Sequence, residues 1–343
     1  MRSWPVGLAV GAVTVLVLVL ASGAQAPTSA APEVPTAGYG FSQYGGDIKL
    51  SPETLTRELD AVAKTNATWL RVVLDWFRVE PVKGLYDWAY IDRVVDSARA
   101  HDLKVLLVIG FAPEWARPPG TSWSAPPQNA SDFAAFAGAA VARYGSRVSN
   151  WEIWNEPNSS DYFGSTGDAA TRYTDLLRAA YVAIKKLQPA ATVLSAGMSR
   201  TGEIPPAKFL EQMYALGAKG FFDAAAMHPY VSPGGLAADS YGGWSAVADM
   251  HNVMVSQGEG SKKIWMTELG APTMPPPLGV SQEEQAEQIT EVLAAAAALE
   301  YSGPAFIFTI RDAENMAADP EANYGALLTT DWQAKATARM LAK

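Results

Sequence analysis

The 343-residue chain sets 26 Lys+Arg against 35 Asp+Glu, a formal net charge of −9, with 49% hydrophobic residues and no cysteine. So acidic a chain lacks the basic footprint of phosphate binding, which excludes nucleic acid and disfavours anionic membrane surfaces as partners. Without cysteine there are no disulfides, thiolate nucleophiles or zinc ribbons, and three dispersed histidines (His101, His228, His251) show no metal-ligand spacing. No metal or organic cofactor and no protein partner is implied, so chemistry falls to carboxylates, hydroxyls and amides.

The N-terminus reads as an export signal: Arg2, an uncharged and mostly apolar run from Val6 to Ala21, then Ala24-Gln25-Ala26 before Pro27. The run is shorter than the roughly 20 residues of a membrane span. Cleavage after residue 26 is therefore expected, with a secreted or cell-envelope location; the alternative is an uncleaved membrane anchor over residues 6–21. Residues 27–37, proline-rich and without apolar periodicity, read as a flexible linker, and the folded body is expected over residues 38–343.

From there short apolar or β-branched runs alternate with longer amphipathic ones. Strands are expected at Gly38–Phe41, Trp69–Leu74, Val105–Gly110, Asn150–Trp154, Thr192–Ser195, Phe222–Met227, Lys263–Thr267 and Ala305–Thr309. Helices are expected near Pro52–Thr65, Ala89–His101, Ser131–Tyr144, Ala169–Leu187, Ala207–Leu216, Ser245–Ser256, Gln282–Leu299 and Asp331–Leu341. Eight such pairs suit an α/β fold of the (β/α)8 TIM-barrel type, usually about 250 residues. A doubly wound sheet fits less well, because no Gly-x-Gly-x-x-Gly turn follows a strand.

The proline-rich loops 112–128 and 271–280 follow strands and so fall on the C-terminal face, where barrel active sites are built. There the fourth strand ends in Trp154-Asn155-Glu156-Pro157, and the seventh in Thr267-Glu268. These stretches, with Arg71-Val72-Val73-Leu74-Asp75-Trp76, Tyr86-Asp87-Trp88 and His228-Pro229-Tyr230, resemble the retaining glycoside hydrolases of clan A. The resemblance is closest to family thirty-nine and related bacterial exopolysaccharide-cleaving enzymes, and runs over the whole folded body. It implies a (β/α)8 barrel with Glu156 as acid/base, Glu268 as nucleophile, and Tyr230 as the tyrosine that hydrogen-bonds the nucleophile. At the eighth strand many clan relatives place a tryptophan beneath the scissile sugar, whereas this chain has Phe306-Ile307-Phe308-Thr309-Ile310-Arg311-Asp312.

The residues support that chemistry on their own terms. Retention needs one carboxylic acid to protonate the leaving oxygen and a carboxylate about 5–5.5 Å away to attack the anomeric carbon. Strands four and seven lie across a barrel mouth, so their ends face each other. Glu156 must then hold a proton while Glu268 stays ionised, which calls for different surroundings. Asn155 offers an amide to the sugar 2-hydroxyl or caps the strand end. Arg71 favours the anion of Glu268 or pairs with Asp75 or Glu80. His228 shares the side of Tyr230, and both are either site residues or satisfied polar groups above the core. Trp76, Trp115 and Trp244 are candidate sugar platforms, while Trp69, Trp151 and Trp265 read as structural. Arg311 and Asp312 contact a charged sugar or pair with each other.

The expected function is an exported retaining glycoside hydrolase acting on a polysaccharide or glycoconjugate. The alternatives are a transglycosylase using the same residues and a non-catalytic carbohydrate-binding barrel.

Overall fold

The computed structural model describes residues 32–43, 49–165, 167–313 and 320–343. The expected export segment and the linker as far as residue 31 lie outside them. Residues 32–343 form one compact unit. Its start precedes the expected boundary: Val34 packs against the core and the Trp69 indole donates to the Ala37 carbonyl (2.9 Å), which ties the end of the linker to the fold.

Eight parallel strands close into a barrel in sequence order: β1 (Tyr39–Ser42), β2 (Trp69–Asp75), β3 (Lys104–Gly110), β4 (Asn150–Ile153), β5 (Thr192–Ser199), β6 (Ala224–His228), β7 (Ile264–Leu269) and β8 (Ser302–Phe308). Closure comes from β1 pairing with β8 from Tyr39–Ala305 to Ser42–Phe308. Around it run α1 (Pro52–Ala63), α2 (Trp76–Val79), α3 (Ala89–Ala100), α4 (Ala130–Tyr144), α5 (Ser160–Phe163), α6 (Ala169–Leu187), α7 (Pro206–Ala215), α8 (Gly235–Ala238), α9 (Ser245–Ser256), α10 (Gln282–Ala297) and α11 (Ala336–Met340). Local chemistry sets several starts. Ser51 caps α1 with Pro52 at its first position, and Ser281 with Glu284 forms a capping box on α10.

The last helix is shorter than expected from Asp331–Leu341. Trp332 has φ 69°, a left-handed conformation no α-helix admits, and Leu328 pairs with Ala334 instead. The guanidinium groups of Arg57 and Arg311 lie 3.7 and 4.5 Å from the Trp332 ring, which holds it in that turn.

Inside the barrel, Trp69, Leu106, Leu194, Ala224, Ala226, Trp265 and Phe306 form a core separate from the strand–helix layer. Trp69 and Trp265 meet edge to face at 5.2 Å, and Trp265 stacks on Phe306. Because side chains alternate along a strand, residues two further on form the next layer up: Arg71 above Trp69, Thr267 above Trp265, His228 above Ala226. An apolar floor thus carries a polar layer at the mouth. Trp265→Ala should open a cavity in that floor and cost about 3–5 kcal/mol of stability, read as a lower denaturant midpoint at unchanged m-value.

Candidate active site

Arg71 is the centre of the polar layer. Buried, it sends Nε and Nη2 to the two carboxylate oxygens of Glu152 (2.8 and 3.1 Å), Nη1 to Glu268 (2.6 Å) and to Ser42 (3.1 Å), and Nη2 also to Asn155 Oδ1 (2.9 Å). Of the alternatives raised for Arg71, Asp75 pairs with Arg78 at 3.0 Å, and Glu80 accepts from Trp76 and the Gly84 amide. Since Asn155 has its oxygen committed, its amide nitrogen is the end left for a sugar hydroxyl.

Glu268 also accepts a hydrogen bond from the Tyr230 hydroxyl at 2.7 Å. It adjoins Thr267, which faces the barrel interior, and strict alternation would turn Glu268 away. The β7–β8 register shifts between Met266 and Leu269, and this irregularity lets neighbouring residues serve one centre. Burial alone would raise the Glu268 carboxyl. The charges of His228 and Arg71 and the hydrogen bonds from Tyr230 and Arg71 outweigh it, leaving the pKa below the ordinary value. Burial, with the Glu268 charge, pushes the Tyr230 phenol well up, so it remains a donor.

Glu156 stands at φ 45° after Trp154 at φ 72°. Two consecutive-but-one left-handed residues other than glycine cost of order 1–3 kcal/mol each, so the turn must be held from outside. The Glu156 amide donates to Gly197 O (3.0 Å), the Trp154 amide to Ile109 O (2.8 Å), and buried Asn158 bonds Ser199 through both ends of its amide.

His228 connects the two sides. Its Nδ1 lies 2.7 Å from Glu156 Oε1 and its Nε2 3.1 Å from the Thr267 hydroxyl, which itself donates to Glu152 (3.2 Å). Having spent its single proton on Glu152, Thr267 can only accept from His228, so Nε2 carries a hydrogen. The Nδ1–Oε1 contact then contains one proton, on the imidazole or on the carboxyl. Burial opposes charging His228, but the Glu268 charge and the Glu156 hydrogen bond and charge prevail, and its pKa is raised. Gly197 makes the approach possible: a Cβ there would lie 2.1 Å from His228 Nε2 and 2.6 Å from the Thr267 hydroxyl.

One oxygen of Glu156, one of Glu268 and a ring nitrogen of His228 lie within 4.8 Å of one another. Among the described residues this is also the group of donors spaced to share a metal ion, although each is already engaged by a protein partner: Glu156 and His228 with each other, Glu268 with Arg71 and Tyr230.

The structure thus brings Arg71, Asn155, Glu156, His228, Tyr230 and Glu268 together. It does not bring Trp76 to them as a sugar platform. Trp76 is fully buried, stacked on Phe136 at 5.4 Å, and presents no face to a sugar; its short helix turns it into the core between strands and helices. Trp115 is partly buried edge-on against Trp76 with its indole donating to Glu80 O, and Trp244 is partly buried. Arg311 and Asp312 do not pair with each other: they hold buried ion pairs with Glu58 (3.0 Å) and Lys335 (3.1 Å). At the end of β8 the Phe308 ring meets Tyr324, itself edge-on to Tyr230. Sequence reasoning missed Glu152, Thr267 and Gly197. A glutamate inside an apolar strand, two residues from the motif, was the available signal for Glu152.

The profile of Glycosyl hydrolases family 39 matches residues 57–213. Similar solved structures include a family 39 glycoside hydrolase from the gut symbiont Bacteroides cellulosilyticus WH2, with TM-score 0.70 and 22% identity over 90% of this chain and 64% of that one. A monomeric beta-xylosidase from Caulobacter crescentus CB15 gives TM-score 0.68 and 19% identity over 91% of this chain and 69% of that one. Beta-glucosidase 3 of Oryza sativa subsp. japonica is 29% identical over 134 residues, 38% of this chain and only 25% of its own length. The structural likenesses, at these identities, speak for the fold. The chain is thus similar to family 39 glycosyl hydrolases over residues 57–213 and shares its barrel fold with these structures.

The shared proton yields a test. With His228 in place, the dyad releases it only as pH rises through the raised imidazole pKa. His228→Ala should therefore move the alkaline limb of the kcat/KM profile to lower pH and, because the His228 charge helps hold the Glu268 carboxyl down, move the acid limb to higher pH, so that the profile narrows from both sides.

Proposed function

We propose that the protein is an exported retaining glycosidase cleaving O-glycosidic bonds of a polysaccharide or glycoconjugate by double displacement. The observation that carries this reading is the approach of Glu156 and Glu268 oxygens within 4.8 Å. A direct attack by carboxylate suits that spacing, whereas an inverting enzyme needs roughly 6.5–9.5 Å to seat a water between its carboxyls.

In the first step Glu268 attacks the anomeric carbon as the bond to the leaving oxygen breaks, its electron pair going to that oxygen, which takes the dyad proton from Glu156. Arg71 and Tyr230 keep the nucleophile ionised and aimed. The Asn155 amide donates to the 2-hydroxyl, a contact that strengthens as positive charge develops on the ring. In the second step Glu156, now a base, takes a proton from water, whose oxygen displaces Glu268. His228 accompanies both transfers through Nδ1.

The two carboxylates should fail differently. Glu156→Ala should lower kcat/KM on natural glycosides by about 10²–10⁴-fold, yet largely spare glycosylation by substrates with acidic phenols, and azide should restore turnover. Glu268→Ala should abolish cleavage for every leaving group. Equal losses for both variants across leaving groups would contradict the assignment.

The segment ending Ala24-Gln25-Ala26 supports export. N-terminal sequencing of protein recovered from outside the cytoplasm should give a start near Pro27, whereas intact Met1 in the membrane fraction would replace cleavage by anchoring.

A further inference from the structure

We propose that Trp123 is a stacking platform for a second pyranose ring, beside the ring attacked by Glu268, so that the preferred substrate is an oligosaccharide or polysaccharide and not a glycoside of a small alcohol. This rests on the glycosidase reading above. Trp123 is 56% exposed and is the tryptophan among the exposed large apolar side chains of the described residues. Large aromatic surface is normally withdrawn from water. The indoles of Trp69, Trp76, Trp115, Trp151 and Trp154 all donate to protein acceptors. That of Trp123 has no such acceptor among the described residues and is left to bond a hydroxyl.

Its position ties it to the catalytic wall. Trp123 lies in the loop after β3, its ring 5.2 Å from Phe111 and edge-on to Tyr162 at 6.4 Å. Phe111 packs on Trp154 at 5.6 Å, next to Asn155 and Glu156, and the Trp154 indole donates to the Tyr162 carbonyl at 2.9 Å. The Tyr162 phenol bonds Glu321 at 2.7 Å, and burial together with the charges of Glu321, Glu156 and Glu268 holds its pKa up, which places it within the field of the catalytic pair. Trp123 therefore stands one side chain further out than Tyr162, on the side of the catalytic pair, and offers its exposed face to a neighbouring sugar. It is also held still. Ser124 and Ala125 beside it are buried, and the Arg117 guanidinium donates to Ser122 O at 2.8 Å. A rigid aromatic face with a polar edge binds at low cost in conformational entropy.

The test compares wild type, Trp123→Ala and Trp123→Phe on two probes, a panel of xylosyl, glucosyl and mannosyl fluorides and the matching oligosaccharides. A fluoride fills only the attacked position. Trp123→Ala should lose about tenfold or more in kcat/KM on the oligosaccharide, mainly through KM, and stay within about twofold on the fluoride, with Trp123→Phe between. Equal losses on both probes would assign Trp123 a structural role, and unchanged kinetics on both would make it an ordinary surface residue; either overturns the proposal. Failure of wild type on every fluoride and oligosaccharide would instead strike the glycosidase reading, and this proposal with it.

Discussion

The arrangement depends on one buried cation shared by two carboxylates. Taking a guanidinium out of water costs several kcal/mol unless it is fully paired, and Arg71 is paired on every nitrogen, bidentately with Glu152 and through one bond with Glu268. The asymmetry matters for chemistry. In the proposed mechanism, when Glu268 spends its charge on a bond to carbon, Glu152 still neutralises Arg71, so the covalent state leaves no unpaired ion in the polar layer.

Glu152 also governs the proton. By accepting from Thr267 and from the Gly197 amide (2.9 Å) it fixes the Thr267 hydroxyl, which fixes the His228 tautomer, which leaves one proton between His228 and Glu156. Glu268 and Glu156 are thus organised by the same buried carboxylate from opposite sides. Nothing in this chain tolerates much slack: the Nε2 edge of His228 occupies the space that any side chain at Gly197 would need.

The alternation of strands and helices was legible because each strand is a short apolar run bounded by amphipathic helices, and because Trp154-Asn155-Glu156-Pro157 and Thr267-Glu268 fall at strand ends. What was not legible depends on direction and on long-range meetings. Trp76 and Trp123 both follow strands, yet a helical turn buries the first under Phe136 while an open loop leaves the second in water. For Arg71 the expected partners were Glu268 on strand seven or the sequence-near Asp75 and Glu80; Glu268 is one, and the bidentate partner Glu152 on β4 was not foreseen. The C-terminal helix was overextended because Trp332 reads as helical until its turn against Arg57 and Arg311 is seen.

The proposed mechanism requires Glu268 to form a covalent bond to the sugar while Arg71 remains neutralised beneath it. A 2-deoxy-2-fluoro glycoside with an activated leaving group slows release of the glycosyl-enzyme, so intact-protein mass followed by peptide mapping locates the bond. One added sugar, on Glu268, is expected in wild type and in Glu156→Ala alike. A label on Glu156 or elsewhere, or reaction products of inverted configuration with no adduct, would contradict it.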